Sequence, residues 1–174
     1  MKKWLVLTIL IGVISAPPGF SQSENWPGAK SEIEINASPE VVWDAVHQQR
    51  ASDPDIAYSK VIQEKGNRIL LEQKYNALPI IGEATCLMVQ EETPLKRIDY
   101  KMVRSDKFKA MSGSWILKPV SNVKTILELR SLLDTGLPYS QLAINSLLQE
   151  KIVKRLNRVK IAAESVAINK SNSF

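Results

Sequence analysis

Residues Pro138 to Ile168 read PYSQLAINSLLQEKIVKRLNRVKIAAESVAI. No Gly and no further Pro interrupts the run, and Leu148, Ile152, Leu156, Val159, Ala163 and Val166 recur at spacings of three and four. That spacing places them on one face of a helix. Pro138 fits the start, where the first backbone N–H groups have no intrahelical acceptor. Lys151, Lys154, Arg155, Arg158 and Lys160 fall mainly off the apolar stripe. A helix this long is not held by propensity alone, so the stripe requires a partner. Small residues at Ala143, Ala162 and Ala163 predict closest packing near the helix ends and a gap under its middle.

The preceding sequence can supply that partner. Ser31 to Asn36 alternates Ile33 and Ile35 with Glu32 and Glu34, the pattern of a half-buried strand. Ser38 is a good N-cap and Pro39 a good first helical residue. Val41, Val42, Ala45 and Val46 then give a short helix one apolar face, with Trp43 beside it, fading by Arg50. Ser52 to Asp55 reads as a turn. Six strand-like runs follow: Ile56–Glu64, Arg68–Tyr75, Glu83–Glu91, Arg97–Arg104, Phe108–Val120 and Lys124–Asp134. Hairpin connections make such strands antiparallel neighbours. Asn76 to Gly82, broken by Pro79 and Gly82, reads as an apolar loop, and Gly113 marks a bulge or bend. The order predicts an α+β domain over 31–168, in which an antiparallel sheet of about seven strands is covered by the C-terminal helix.

The N-terminus reads as an address. Met1-Lys2-Lys3 precedes an apolar run from Trp4 to Ile14, and small residues stand at Gly19 and Ser21. This is the layout of a secretory signal over 1–21, cleaved after Ser21. The run is shorter than the roughly 20 residues of a membrane span, which leaves an uncleaved anchor as the alternative. Residues 22–30 read as a flexible lead and 169–174 as a disordered tail. The expected location is the periplasm or the cell exterior. Removing residues 1–21 lowers the formal charge from +5 to +3, with 21 basic residues against 18 acidic. This mild excess gives no concentrated basic footprint for nucleic acid. A lone Cys86 forms no intramolecular disulfide and reads as a buried, unreactive thiol.

The opening Ile33-Glu34-Ile35-Asn36-Ala37-Ser38-Pro39-Glu40-Val41-Val42-Trp43-Asp44-Ala45-Val46 and the single long final helix resemble the START-like, or polyketide cyclase/dehydrase (SRPBCC), superfamily of helix-grip proteins. Coenzyme-Q-binding and lipid-transport members are nearest in feel. The resemblance spans the chain from about Ser31 to Ile168, mostly through the order of elements. It implies a curved sheet gripping the long helix, with a cavity between them for a hydrophobic small molecule or lipid. The family usually places two helices between its first two strands. Here the span from Gln48 to Ala57 leaves at most one turn for the second.

Strand phase nominates a pocket wall: Tyr100, Met102, Met111, Trp115, Leu117, Leu127 and Leu129, with Leu148, Ile152 and Leu156 from the helix. Such side chains make a deformable apolar surface, or else simply fill a core. Leu87 and Val89 oppose Cys86 and Met88, so the phase of that strand is undetermined. Catalytic constellations are poor. His47 is the one histidine, with Asp44 three residues before it and no nucleophile placed to pair with it. One His and one Cys build no metal site, and sparse glycine builds no phosphate loop, so no metal and no cofactor are expected. The sequence therefore points to a secreted binding or carrier protein for a hydrophobic small molecule or lipid. The alternatives are a cyclase- or dehydrase-like enzyme using Asp44, His47 or Tyr100, and an envelope module without an internal ligand. The basic residues of the last helix read as a solvated face, or as a site of transient contact with an anionic membrane while Leu78 to Ile81 dips into lipid.

Overall fold

The computed structural model describes residues 26–78 and 82–171. The expected signal segment, residues 79–81 of the apolar loop and the last three residues lie outside them. The order is β1 (Ala29–Ile35), α1 (Pro39–Ser52), β2 (Ile56–Lys65), β3 (Arg68–Leu78), β4 (Gly82–Thr93), β5 (Arg97–Ser105), β6 (Ala110–Ser121), β7 (Lys124–Asp134) and α2 (Gln141–Ser171). The six later strands run up and down, and β1 joins the sheet beside β7, giving the order β1-β7-β6-β5-β4-β3-β2 with every pair antiparallel. This is the α+β helix-grip arrangement expected, with one helix after the first strand. Because β1 and β2 occupy opposite edges, α1 has to cross the open side of the sheet to connect them. Register shifts in the β2–β3, β3–β4, β4–β5 and β6–β7 pairs add local twist.

Local chemistry sets the boundaries, and several differ from those expected. The long helix starts at Gln141, not Pro138, because Ser140 caps it: its hydroxyl accepts from the Ala143 N–H (3.3 Å) and its carbonyl from the Ile144 N–H (3.2 Å). The helix also runs to Ser171, three residues past Ile168. α1 continues past Arg50 to Ser52, since nothing breaks it before Pro54. Ser38 and Pro39 open α1 as expected. β1 begins two residues before Ser31, at Ala29. Part of the stretch read as a loop is strand: β3 reaches Leu78 through a bulge after Tyr75, and Leu78 pairs with Gly82. The bulge breaks the alternation that would have marked the strand.

Two groups of buried side chains fill the concave side. The first joins Ile35, Val42, Val46, Leu127 and Leu129 to Ile152, Leu156, Val159 and Ala163 of α2. The second joins Leu71, Tyr75, Cys86, Met88, Phe108, Met111 and Leu133 to Ile144. Leu148 and Tyr100 pack against both. Full burial of a side chain such as Ile152 or Leu156 contributes about 1.5–3 kcal/mol. The inward stripe leaves through Ala167 rather than Val166, which is 40% exposed. Ile152 and Leu156 in mid-helix pack directly on the first core, and Ala143 is exposed rather than closely packed, so any gap lies beside this stripe and not under it. β4 resolves its phase with Ala84, Cys86 and Met88 inward.

Gly113 is not a bulge, because the ladder runs continuously through it, opposite Tyr100 on one side and Ser131 on the other. The missing side chain makes room for the Tyr100 ring. A Cβ here would lie far inside van der Waals contact of the Tyr100 ring, its hydroxyl and the Arg130 carbonyl. That hydroxyl donates to the same carbonyl (3.1 Å). Gly113→Ala is therefore expected to destabilise the protein by about 2–3 kcal/mol, as overpacking of a fixed site does, and urea denaturation reads the loss. A change below about 0.5 kcal/mol, the ordinary surface scatter, would show that Tyr100 moves freely out of the way.

Candidate functional site

The two cores do not meet everywhere. Between them lies a cavity of about 110 Å³ under the N-terminal half of α2. Met88, Phe108, Met111, Leu133 and Tyr75 wall it from the second core, and Val46, Trp115 and Leu129 from the first. Leu148, Lys151 and Arg155 share a helix face by their spacings of three and four, and form the helical wall. Gln49, Arg50, Asp53 and Asp55 bring the end of α1 and its turn to the mouth.

Charge organises that mouth. Asp53 is buried and caps the C-terminus of α1. One oxygen accepts from the Asp55 N–H (3.0 Å) and from Arg158 Nη2 (2.9 Å), while the other lies 2.7 Å from Arg155 Nε. Lys151 Nζ donates to Asp55 at 2.6 Å. With its amide oxygen turned towards Arg158, Gln49 accepts from Nε (3.1 Å) and Nη2 (3.3 Å). Three cations of α2 thus close on the Asp53-Pro54-Asp55 turn, which takes the place of the second helix. Among the described residues no helix stands between α1 and β2. Burial acts to raise the Asp55 carboxyl, but the Lys151 hydrogen bond and the fields of Lys151, Arg155 and Arg158 outweigh it and hold it below its ordinary value. Burial also opposes the Arg155 charge, yet Asp53 holds that group above its ordinary value.

The interior polar groups are mostly occupied. The Tyr75 hydroxyl donates to Gln73 Oε1 (3.2 Å), and the Gln73 amide nitrogen donates to Ser59 (3.1 Å). Burial pushes both phenols, Tyr75 and Tyr100, upward, so they stay protonated at neutral pH. Arg50 Nη1 donates to Gln90 Oε1 (2.8 Å).

Of the pocket-wall residues nominated from strand phase and from the helix stripe, Tyr100, Met111, Trp115, Leu129 and Leu148 line the cavity. Leu117, Leu127, Ile152 and Leu156 do not; they are packed into the first core. Met102 lies at the margin of the second core, facing an opening where the β5–β6 ladder stops after Lys101. Asp44 is exposed, and His47 is tied to the Trp43 carbonyl (2.9 Å) and Glu92 (3.1 Å), so neither reaches the cavity. Sequence reasoning missed Asp53, Asp55, Lys151 and Arg155 as site residues. Their signal was present: basic residues at 151, 155 and 158 share one helix edge, and two acids flank a proline at the end of α1.

No protein-family model matches the chain, and no curated protein matches it in sequence. Solved structures do match in shape. A protein from Thermus thermophilus is 17% identical with a TM-score of 0.67, over 79% of this chain and 97% of that one. A START superfamily protein from Mycobacterium smegmatis is 15% identical with a TM-score of 0.64, over 79% and 94%. The Zhui aromatase/cyclase from Streptomyces sp. R1128 is 17% identical with a TM-score of 0.59, over 78% and 92%. The chain therefore has the START-like, polyketide cyclase-type helix-grip fold.

Two measurements check the ion cluster. Asp53→Asn keeps an acceptor for the Asp55 N–H and removes only the charge. It should cost about 2–4 kcal/mol in urea denaturation, somewhat under the figure for fully buried pairs because Arg155 and Arg158 keep some solvent. Because its folded value is depressed, Asp55 contributes stability above its ordinary value of 3.8, lost as pH falls through the lower folded value. The stability difference between the native sequence and Asp55→Asn should accordingly shrink as the pH is taken below that value. A pH-independent difference would place the contribution outside the charge.

Proposed function

We propose that this chain is a binding protein for a small, largely apolar organic molecule held between the sheet and α2. The observation that carries the reading is the gap itself. Two well-packed cores are separated by a cavity whose walls are methionines, aromatic rings and Leu148, instead of closing on each other. Interiors otherwise pack to crystal-like density, so an organised gap of this size calls for an occupant. Its volume limits what fits. A buried apolar cavity of about 150 Å³ takes benzene, and pockets for drug-sized ligands run to about 300–1,000 Å³. The space of about 110 Å³ suits a single ring or a short chain. A lipid-sized ligand would require Met88, Met111 and Leu148 to move, which unbranched methionine permits.

Binding is favoured over a cyclase-like reaction because Asp44 and His47 stand away from the cavity, while the Tyr100 proton is engaged by the Arg130 carbonyl. The fold shared with START and aromatase/cyclase proteins agrees with a hydrophobic ligand. We place the protein in the periplasm or outside the cell, on the reading of residues 1–21 as a cleaved signal. N-terminal sequencing of the protein recovered from its host should begin at Gln22.

Native mass spectrometry of protein purified from its own host, followed by organic extraction, tests the binding reading. One small organic molecule per chain is expected. Leu148→Phe, which fills the space, should lose that molecule while keeping a cooperative thermal transition. Protein that arrives empty and takes up no small aromatic or aliphatic compound would overturn the proposal.

A further inference from the structure

We infer that the cavity selects molecules bearing a carboxylate, with Arg155 as the group that binds it. The inference rests on the ligand-binding reading above and names its ligand class. It follows from which polar groups at the cavity still have bonding capacity. Tyr75 donates to Gln73, Gln73 to the Ser59 hydroxyl and Tyr100 to the Arg130 carbonyl, so each of these donors already has an acceptor. Arg155 does not. Its Nε is buried, and although Asp53 Oδ2 is 2.7 Å away the pair is out of hydrogen-bond alignment, so Nε has no hydrogen-bond partner among the described residues. A buried donor left without an acceptor is costly, and each such case in a folded protein requires an explanation.

The local charge balance points the same way. Asp53 and Asp55 are two carboxylates facing three cations, Lys151, Arg155 and Arg158, which leaves one positive charge over. A ligand anion completes that balance, whereas an amine would add to the excess. A guanidinium presents a planar fork of N–H donors that matches a carboxylate better than any neutral group does. The apolar remainder of the ligand would lie towards Met88, Phe108 and Met111, on the opposite wall of a cavity sized for one ring or a short chain.

Varying the ligand tests this without disturbing the fold. The mature chain is titrated with phenylacetate and hexanoate, and in parallel with phenylacetamide and hexanamide, following tryptophan fluorescence and calorimetry. The acids are expected to bind at least tenfold more tightly than their amides, and that preference is expected to vanish in Arg155→Met. If Arg155→Met does not melt cooperatively, Arg155→Lys replaces it and should keep the preference at reduced affinity. Equal binding of acids and amides would overturn the carboxylate inference and leave the ligand-binding reading standing. Acid preference that survives in a folded Arg155→Met would overturn the assignment to Arg155. Failure of all four compounds to bind would overturn the carboxylate inference; the ligand-binding reading falls with it only if the protein also arrives empty from its host.

Discussion

Asp53 is held by Arg155 and Arg158, and this pairing ties the α1–β2 connection across the open side of the sheet to the long helix α2 that covers it. The connection is short. α1 leaves the β1 edge, and three residues after it ends, β2 begins at the opposite edge. A segment so brief buries little apolar surface of its own. Its position is fixed by charge instead: Asp53 caps α1 and, with Asp55, receives the three cations from α2. The long helix therefore does two jobs with two adjacent faces. Ile152, Leu156, Val159 and Ala163 bury it against the first core, and the edge carrying Lys151, Arg155 and Arg158 locks the turn.

The same division explains where the space is. Where α2 presents Ile152 and Leu156, the helix and β7 are in direct contact through Leu127 and Leu129. Along the adjacent edge of the same turns it presents Leu148, Lys151 and Arg155, and long polar side chains reaching for Asp53 and Asp55 cannot also fill the interior. The second core, anchored by Ile144 and the inward residues of β3 and β4, stands apart from the first. Tyr100 bridges them, its ring lying over Gly113 and its hydroxyl on the Arg130 carbonyl. That arrangement holds a rigid aromatic wall at the cavity without letting it collapse inward.

Much of this was legible in the sequence, for identifiable reasons. Period-two alternation around Ile98, Tyr100 and Met102, and the Ser38-Pro39 start signal, are local properties of the chain, and each gave the right element with the right face. The inward phases of β6 and β7 were equally readable. What local pattern could not give was distance. Leu127 and Trp115 sit in phase on neighbouring strands, yet one lies in the closed core and the other on the cavity. The difference depends on sheet twist, which the register shifts help to set. The ion cluster was hidden for another reason. Asp53 and Arg158 are 105 residues apart, and the basic edge of α2 has the look of a solvated face until the turn is folded against it.

A buried ion cluster is weak evidence for stability, since well-packed apolar side chains of similar volume often serve as well or better. The α1–β2 turn could have been closed that way, and the surrounding cores show that this chain has the apolar residues to do it. Instead the mouth carries a surplus cation, and Arg155 holds its Nε donor in a dry setting without a hydrogen-bonded acceptor. Low local dielectric makes such a group expensive when unmet and strongly attractive to a matching anion when one enters. The feature that closes the fold over α1 is thus also the one that gives the cavity a chemical preference. An apolar space bounded by Met88, Phe108 and Met111 accepts many shapes; a fixed guanidinium at its mouth accepts few charges.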